Sequence, residues 1–190
     1  MRTDELLAYR KQIIDDAIRL RKPDRTPHIA NFWTWKILDS GYKLSEALHD
    51  WKKIEKSTIT FAKKYPFDMV VDDGVRNPRL VIGAIGEPAY EIDDEAEIMN
   101  IRDASYMDPE HYDLLIEDFP RFLWEVAVPR RASRFNSNMT MEELHEALRQ
   151  FGLMGQTMEN IKRRLAEECG VVQGLFSSNL FIGFELLFNF

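Results

Sequence analysis

Apolar residues recur at intervals of three and four positions along several long segments, which is the spacing of one face of an α-helix. Capping residues and prolines mark where these segments begin and end. Thr3 and Ser45 are placed to cap two helices, Gly170 to end one, and Pro129 to stop another. The predicted helices are 3–21, 35–40, 45–64, 77–85, 108–117, 118–129, one from 140 to Gly152 or Gly155, and 157–169.

Short apolar runs without alternation separate these helices. The runs 28–32, 67–71 and 171–175 predict parallel strands covered on both faces, and 89–92 predicts a small edge strand. Strands that alternate with helices indicate an α/β fold with a parallel sheet or barrel. We expect residues 1–190 to form a single domain, in which 1–27 is a leading helix and linker.

Two carboxylates, Asp72 and Asp73, follow the second predicted strand directly and precede Gly74. A carboxylate at the carboxyl end of a parallel strand can act as a general base, bind a cation or hold an amine or amide nitrogen. Adjacent side chains on an extended chain point in opposite directions, so we expect at most one to face a pocket. The alternative is a solvated turn before Gly74.

Two tryptophans, Trp33 and Trp35, follow the first predicted strand. Side chains in this position can line the mouth of a pocket at the carboxyl ends of the strands. The alternative is packing in the core or in a lid, because tryptophan is largely buried in most proteins.

Composition narrows the class of protein. The chain has 190 residues, 45% of them apolar and 30% charged, with a formal net charge of -7, so we expect a globular protein that does not bind nucleic acid. No apolar run reaches the length of a membrane span, and no signal peptide is evident, so a cytoplasmic location is expected. The single cysteine, Cys169, forms no internal disulfide, and the four histidines show no metal-ligand spacing, so no metal site is predicted within the chain.

Several segments together resemble the uroporphyrinogen decarboxylase-like superfamily, whose members are single (β/α)8 TIM barrels. The segments are 10–27 with its Lys-Pro-Asp-Arg-Thr-Pro end, the helix entry 41–51, Tyr65-Pro66-Phe67-Asp68, and 181–189 after a glycine-containing strand. The resemblance implies that this chain is the amino-terminal half of such a barrel, with the first three or so strand–helix units and inserted helices. It also implies a site at the carboxyl ends of the strands, containing Trp33, Trp35, Asp72, Asp73 and Asn179.

The superfamily includes the tetrapyrrole decarboxylase and corrinoid-linked methyltransferases. Decarboxylases carry an arginine-rich segment after the first strand, whereas residues 30–35 of this chain contain no arginine. The resemblance therefore favours a methyltransferase acting on a small methylated substrate or on the methyl-corrinoid of a partner protein. Zinc and corrinoid are cofactors that only the resemblance implies, and the zinc ligands would lie beyond Phe190.

A second hypothesis is a non-catalytic half-barrel that associates with another chain. Half of a barrel leaves sheet edges uncovered, and the apolar segment 175–190 would add to the uncovered surface. This hypothesis predicts a homo-oligomer or a complex that supplies the missing carboxyl-terminal half.

Overall fold

The computed structural model describes residues 1–71, 79–86, 90–101, 107–134 and 138–174. These residues form a mixed α/β structure that is mostly helical, with a small parallel and a small antiparallel sheet. They fall into two compact units, one from 1–71 and 153–174 and one from the described residues between 79 and 152. The single-domain expectation stays a prediction.

The secondary structure follows the predicted alternation of strands and helices. The helices are α1 (Thr3–Ile18), α2 (Trp35–Asp39), α3 (Leu44–Ala47), α4 (Trp51–Lys64), α5 (Arg79–Ile85), a 3-10 turn (Pro109–His111), α6 (Tyr112–Glu117), α7 (Phe119–Phe122), a π-helical turn (Leu123–Ala127), α8 (Val128–Arg131) and α9 (Met141–Cys169). The strands are β1 (Ile29–Ala30), β2 (Met69–Val70), β3 (Tyr90–Asp93), β4 (Ile98–Ile101) and β5 (Val172–Gln173).

The first unit is built on a parallel sheet with the strand order β1-β2-β5. Ile29 pairs with Met69, and Met69 pairs with Val172. The three predicted parallel strands are therefore present, although each is shorter than its apolar run. Val70 in the central strand has no exposed surface, and Ile161 and Leu165 of α9 are likewise fully buried.

The helix predicted over 45–64 is two helices, α3 and α4. Asp50 lies between them, and its Oδ1 accepts hydrogen bonds from the main-chain amides of Lys52 and Lys53. Asp50 is therefore the N-cap of α4, and the prediction that Ser45 caps one long helix is wrong. Helix α1 ends at Ile18 rather than at 21, because Leu20 has φ 54° and leaves the helical conformation.

Helix α9 corrects another prediction. It runs for 29 residues without interruption, through the glycines at which the sequence predicts a break. Gly152 and Gly155 are not among the residues with positive φ, so neither ends the helix, whereas Gly170 has φ 60° and does. Helix propensity at the two internal glycines is overridden by the apolar face on either side of them.

The second unit contains the β3-β4 hairpin and the helices between 109 and 131. Strand β3 pairs antiparallel with β4, a partner that the sequence pattern did not predict. Phe122, Val126, Ala127 and Met107 form a buried cluster beneath the helices. The prediction that Pro129 stops the helix is wrong, because Pro129 lies in the first turn of α8, where a missing amide is tolerated.

Within the described ranges, no helix is both long enough and apolar enough to cross a membrane.

Candidate functional site

The carboxyl ends of parallel strands meet at one edge of a sheet, and α/β proteins place their sites there. In this chain, residues 31–35 follow β1, Val71 follows β2, and Gly174 follows β5 at that edge. The predicted site residues Asp72, Asp73 and Asn179 lie outside the described residues. Trp33 and Trp35 can therefore be placed, and the other three cannot be compared with them.

Trp33 leaves the end of β1 with φ 36°, in the left-handed region that bulky side chains rarely adopt. Its side chain is 45% exposed. A strained conformation of this kind costs about 1–3 kcal/mol and is concentrated at functional sites. The strain makes the loop after β1 a candidate functional site. The sequence pattern predicts either a pocket mouth or core packing there.

Trp35 is the first residue of α2 and is 56% exposed. One side of its indole packs on the aromatic rings of α4 and the loop that follows it. The ring centroids lie 5.1 Å from Phe61, in an edge-on arrangement, and 5.8 Å from Tyr65. Trp35 thus combines packing with a large solvent-facing surface.

Further rings extend this packing beneath Trp35. Phe61, fully buried in α4, lies 4.5 Å from Phe32 and 5.8 Å from Phe67 between ring centroids. The buried ammonium of Lys36 lies 5.4 Å from the Phe32 ring, within the range of a cation–π interaction. The aromatic residues therefore anchor the loop after β1 against α4.

At the opposite edge of the sheet, Asp68 immediately precedes β2 and is fully buried. Its carboxylate accepts two hydrogen bonds from the Arg25 guanidinium, at 2.6 and 2.5 Å, and one from the His28 amide at 2.8 Å. The Arg10 Nε lies 3.3 Å from Asp68 Oδ1, and Arg10 Nη1 donates to the carbonyl oxygens of Cys169 and Gly170.

This ion cluster joins α1, the linker after it, β2 and the end of α9. Burial by itself raises the pKa of Asp68, but the hydrogen bonds from Arg25 and His28 and the charges of Arg25 and Arg10 outweigh it and hold the pKa below its usual range. Burial lowers the pKa of Arg10, and the charge of Asp68 opposes that effect. The amino edge of the sheet is thereby closed by a structural ion cluster.

The sequence pattern alone does not predict that Asp68 pairs with Arg10 and Arg25. All three residues lie in two of the short segments on which the resemblance rests, 10–27 and Tyr65-Pro66-Phe67-Asp68. The signal that was available was the placement of Asp68 before an apolar strand, where an acid needs a cation if the strand start is buried.

Candidate metal ligands do not come together in the described part of the chain: no three His, Cys, Asp or Glu side chains there form a cluster that would hold an ion. Burial raises the pKa of the half-buried Cys169 thiol, which favours its protonated form over the thiolate that binds zinc. The described residues therefore do not fit a zinc centre.

Comparison of the chain with protein-family models, with curated proteins and with solved structures gave no match.

Proposed function

We propose that this chain forms the first strand–helix units of a TIM barrel of the uroporphyrinogen decarboxylase-like kind, and that it carries a methyltransferase-type site at the carboxyl edge of the β1-β2-β5 sheet. The observation that carries the proposal is Trp33, an exposed indole held in a strained conformation where β1 ends. Closure of the other edge by Asp68 and its arginines leaves the carboxyl edge for a site.

Trp33 and Trp35 form the aromatic wall of the proposed site, one of Asp72 or Asp73 orients the substrate, and Asn179 is the further substrate-binding residue expected from the sequence. Aromatic faces can pack against methyl groups and against the face of a corrin ring. The substrate is a small methylated molecule or the methyl-corrinoid of a partner protein in the cytoplasm. A bound corrinoid would supply the methyl carrier.

The proposal is tested by titrating methylcobalamin, as the corrinoid probe, into the protein and following tryptophan fluorescence and corrinoid absorbance. Trp33→Gly keeps the positive φ while removing the indole, so we expect its affinity to fall about 2–10-fold, the loss of one aromatic contact. Trp124→Ala is the matched control, because Trp124 is 67% exposed in the other unit. Equal affinity of the Trp33→Gly and Trp124→Ala proteins would remove Trp33 from the site.

The acid pair is tested separately with a thiol methyl acceptor. An Asp72→Asn, Asp73→Asn double variant is expected to bind methylcobalamin but to transfer its methyl group more slowly, because a general base or orienting acid contributes about 10²-fold or more. Unchanged transfer in the double variant would remove both residues from the mechanism.

A second candidate function is association with another chain without catalysis. The observation that favours it is Ile29 of β1, which is 55% exposed although parallel strands are normally covered on both faces. The decarboxylase reaction remains a further alternative that the absence of arginine from residues 30–35 disfavours.

A further inference from the structure

A carboxylate and an ammonium meet against an aromatic surface where α2 and α4 end. Asp39 lies one helical turn after Trp35, and Lys64 and Tyr65 follow one another at the end of α4. Lys64 Nζ donates to Asp39 Oδ1 at 2.6 Å, and the Tyr65 hydroxyl donates to the same oxygen at 3.0 Å. The Lys64 ammonium also lies 5.2 Å from the Tyr65 ring centroid, within cation–π distance.

Within the part of the chain that the structure describes, the second oxygen of this carboxylate is unused. Asp39 Oδ2 is shielded from solvent and has no hydrogen-bond partner among the residues that the structure describes. The whole Asp39 side chain is only 11% exposed. A carboxylate oxygen accepts up to two hydrogen bonds, and leaving a shielded acceptor unpaired is unfavourable. A donor that replaced Lys64 and reached both oxygens would satisfy the acceptor that Lys64 leaves unpaired.

The aromatic side of the cluster is open. Trp35 is 56% exposed, and its ring lies 5.8 Å from Tyr65 and 5.1 Å from Phe61. Lys64 is 53% exposed, so its ammonium can move into solvent without disturbing the core. A group that replaced the Lys64 ammonium would meet the Asp39 carboxylate on one side and the Tyr65 ring on the other, and the Trp35 ring packs on Tyr65.

We propose that Asp39 and Tyr65, with Trp35 packed on the Tyr65 ring, form a binding site for an organic cation that carries N–H donors, an alkylammonium or guanidinium group, and that Lys64 occupies this site as a tethered stand-in. The Tyr65 face attracts the positive charge, and the donors satisfy both oxygens of Asp39. A bare metal ion is a poorer fit, because Asp39 is the one carboxylate of the group and hard cations take several oxygen ligands. The proposal goes beyond methyl transfer and does not depend on it.

Lys64→Gln and Lys63→Gln are the decisive pair of variants. Lys64→Gln removes the internal competitor, and Lys63→Gln removes the neighbouring lysine of α4, which pairs with Glu168 instead. Methylammonium and guanidinium are titrated at constant ionic strength, with sodium as the reference cation, and the indole N–H resonance of Trp35 is followed by NMR. The resonance is assigned by its disappearance in Trp35→Phe.

We expect Lys64→Gln to bind methylammonium about 2–5-fold more tightly than the unaltered protein, since an exposed ion pair of this kind is the competitor that must be displaced. Lys63→Gln is expected to bind like the unaltered protein. Asp39→Asn should bind at least about 10-fold more weakly, because the charge-assisted hydrogen bonds are lost.

The probes separate the two contributions to binding. Tetramethylammonium has the charge but no N–H donor, so it should bind more weakly than methylammonium. Its affinity should also change less than that of methylammonium when Asp39 is replaced by Asn. Equal tightening in the Lys63→Gln and Lys64→Gln proteins, or no saturable shift in Lys64→Gln, would overturn the proposal. Thermal melting of each variant checks that the fold is retained. If Asp39→Asn unfolds, the comparison of Lys64→Gln with Lys63→Gln still tests the proposal, because both substitutions alter exposed side chains.

Discussion

Asp68 shows at the scale of one residue how the parallel sheet is held at its amino edge. Its carboxylate has no exposed surface and is met by the Arg25 guanidinium, the His28 amide and the Arg10 side chain. Removing one partner from a buried ion cluster leaves the opposite charges without compensation, which costs more than an ordinary lost hydrogen bond. Asp68 therefore stabilises the joint between the linker after α1 and the strand β2.

Asp68→Asn is expected to lower the free energy of unfolding at pH 7 by about 3–5 kcal/mol, as for other buried ion pairs that lose one partner. The pKa of Asp68 is lowered in the folded state, so its contribution is present above the unfolded-state pKa of about 4 and is lost as the pH falls through the lower folded-state value. Urea unfolding of the unaltered and Asp68→Asn proteins between about pH 2 and about pH 7 should therefore give stabilities that converge toward acid.

Asp15→Asn is the matched control for this experiment. Asp15 also pairs with two arginines, Arg19 and Arg21, but on the exposed surface of α1 and beyond its end. Its replacement should lower the free energy of unfolding far less than Asp68→Asn does, because solvent-exposed ion pairs contribute little to stability. A loss for Asp68→Asn as small as that for Asp15→Asn would show that the buried cluster does not hold the sheet edge.

At the scale of the elements, two glycines differ in whether their backbone conformation tolerates a side chain. Gly86 has φ 83°, and a Cβ there would lie 2.8 Å from the Arg134 main-chain nitrogen. Arg134 N also donates to Ile85 O and Ser133 Oγ to Gly86 O, so the end of α5 is held by the segment after α8. Apart from its own helix backbone, no described residue lies within 4 Å of the Cβ position of Gly152, inside α9.

Alanine at the two glycines should have opposite effects on stability. Gly152→Ala is expected to raise the free energy of unfolding by about 1 kcal/mol, because helix propensity improves and no contact is disturbed. Gly86→Ala is expected to lower it by about 2 kcal/mol or more, because a left-handed conformation and a main-chain clash act together. Urea unfolding of the two variants checks both signs, and destabilisation by Gly152→Ala would indicate that another surface packs closely over that part of α9.

At the scale of the whole molecule, the parallel sheet described here has β1 and β5 as its outer strands. Ile29 on β1 is 55% exposed, which is unusual for a strand in a parallel sheet. An uncovered apolar strand favours pairing with another chain. This is the feature that the association hypothesis depends on.

Sedimentation velocity over a range of protein concentrations tests association. We expect a concentration-dependent shift to larger species, and we expect Ile29→Lys to reduce it because a charge on an edge strand opposes pairing. Leu20→Lys is the control, since Leu20 is 95% exposed but lies outside the strands. A compact monomer at every concentration would contradict the association hypothesis.

Sequence patterns predicted the three strands β1, β2 and β5 and that they run parallel, because a continuous apolar run needs cover on both faces, but they did not predict β4. They were less successful with boundaries. Helix α9 continues through Gly152 and Gly155, and Asp50 rather than Ser45 caps α4, because neighbouring apolar contacts and local capping bonds outweigh single-residue preferences.

The sequence by itself determined the alternation of strands and helices and the position of Trp33 and Trp35 just after β1, since local periodicity and turn residues are encoded along the chain. Tertiary structure alone decided that Asp68 meets Arg10 and Arg25, and that Asp39 meets Lys64 and Tyr65 beside Trp35. These partners lie tens of residues apart in the sequence and meet only in the folded chain. For the buried carboxylate of Asp68, removal from water makes a compensating positive charge necessary.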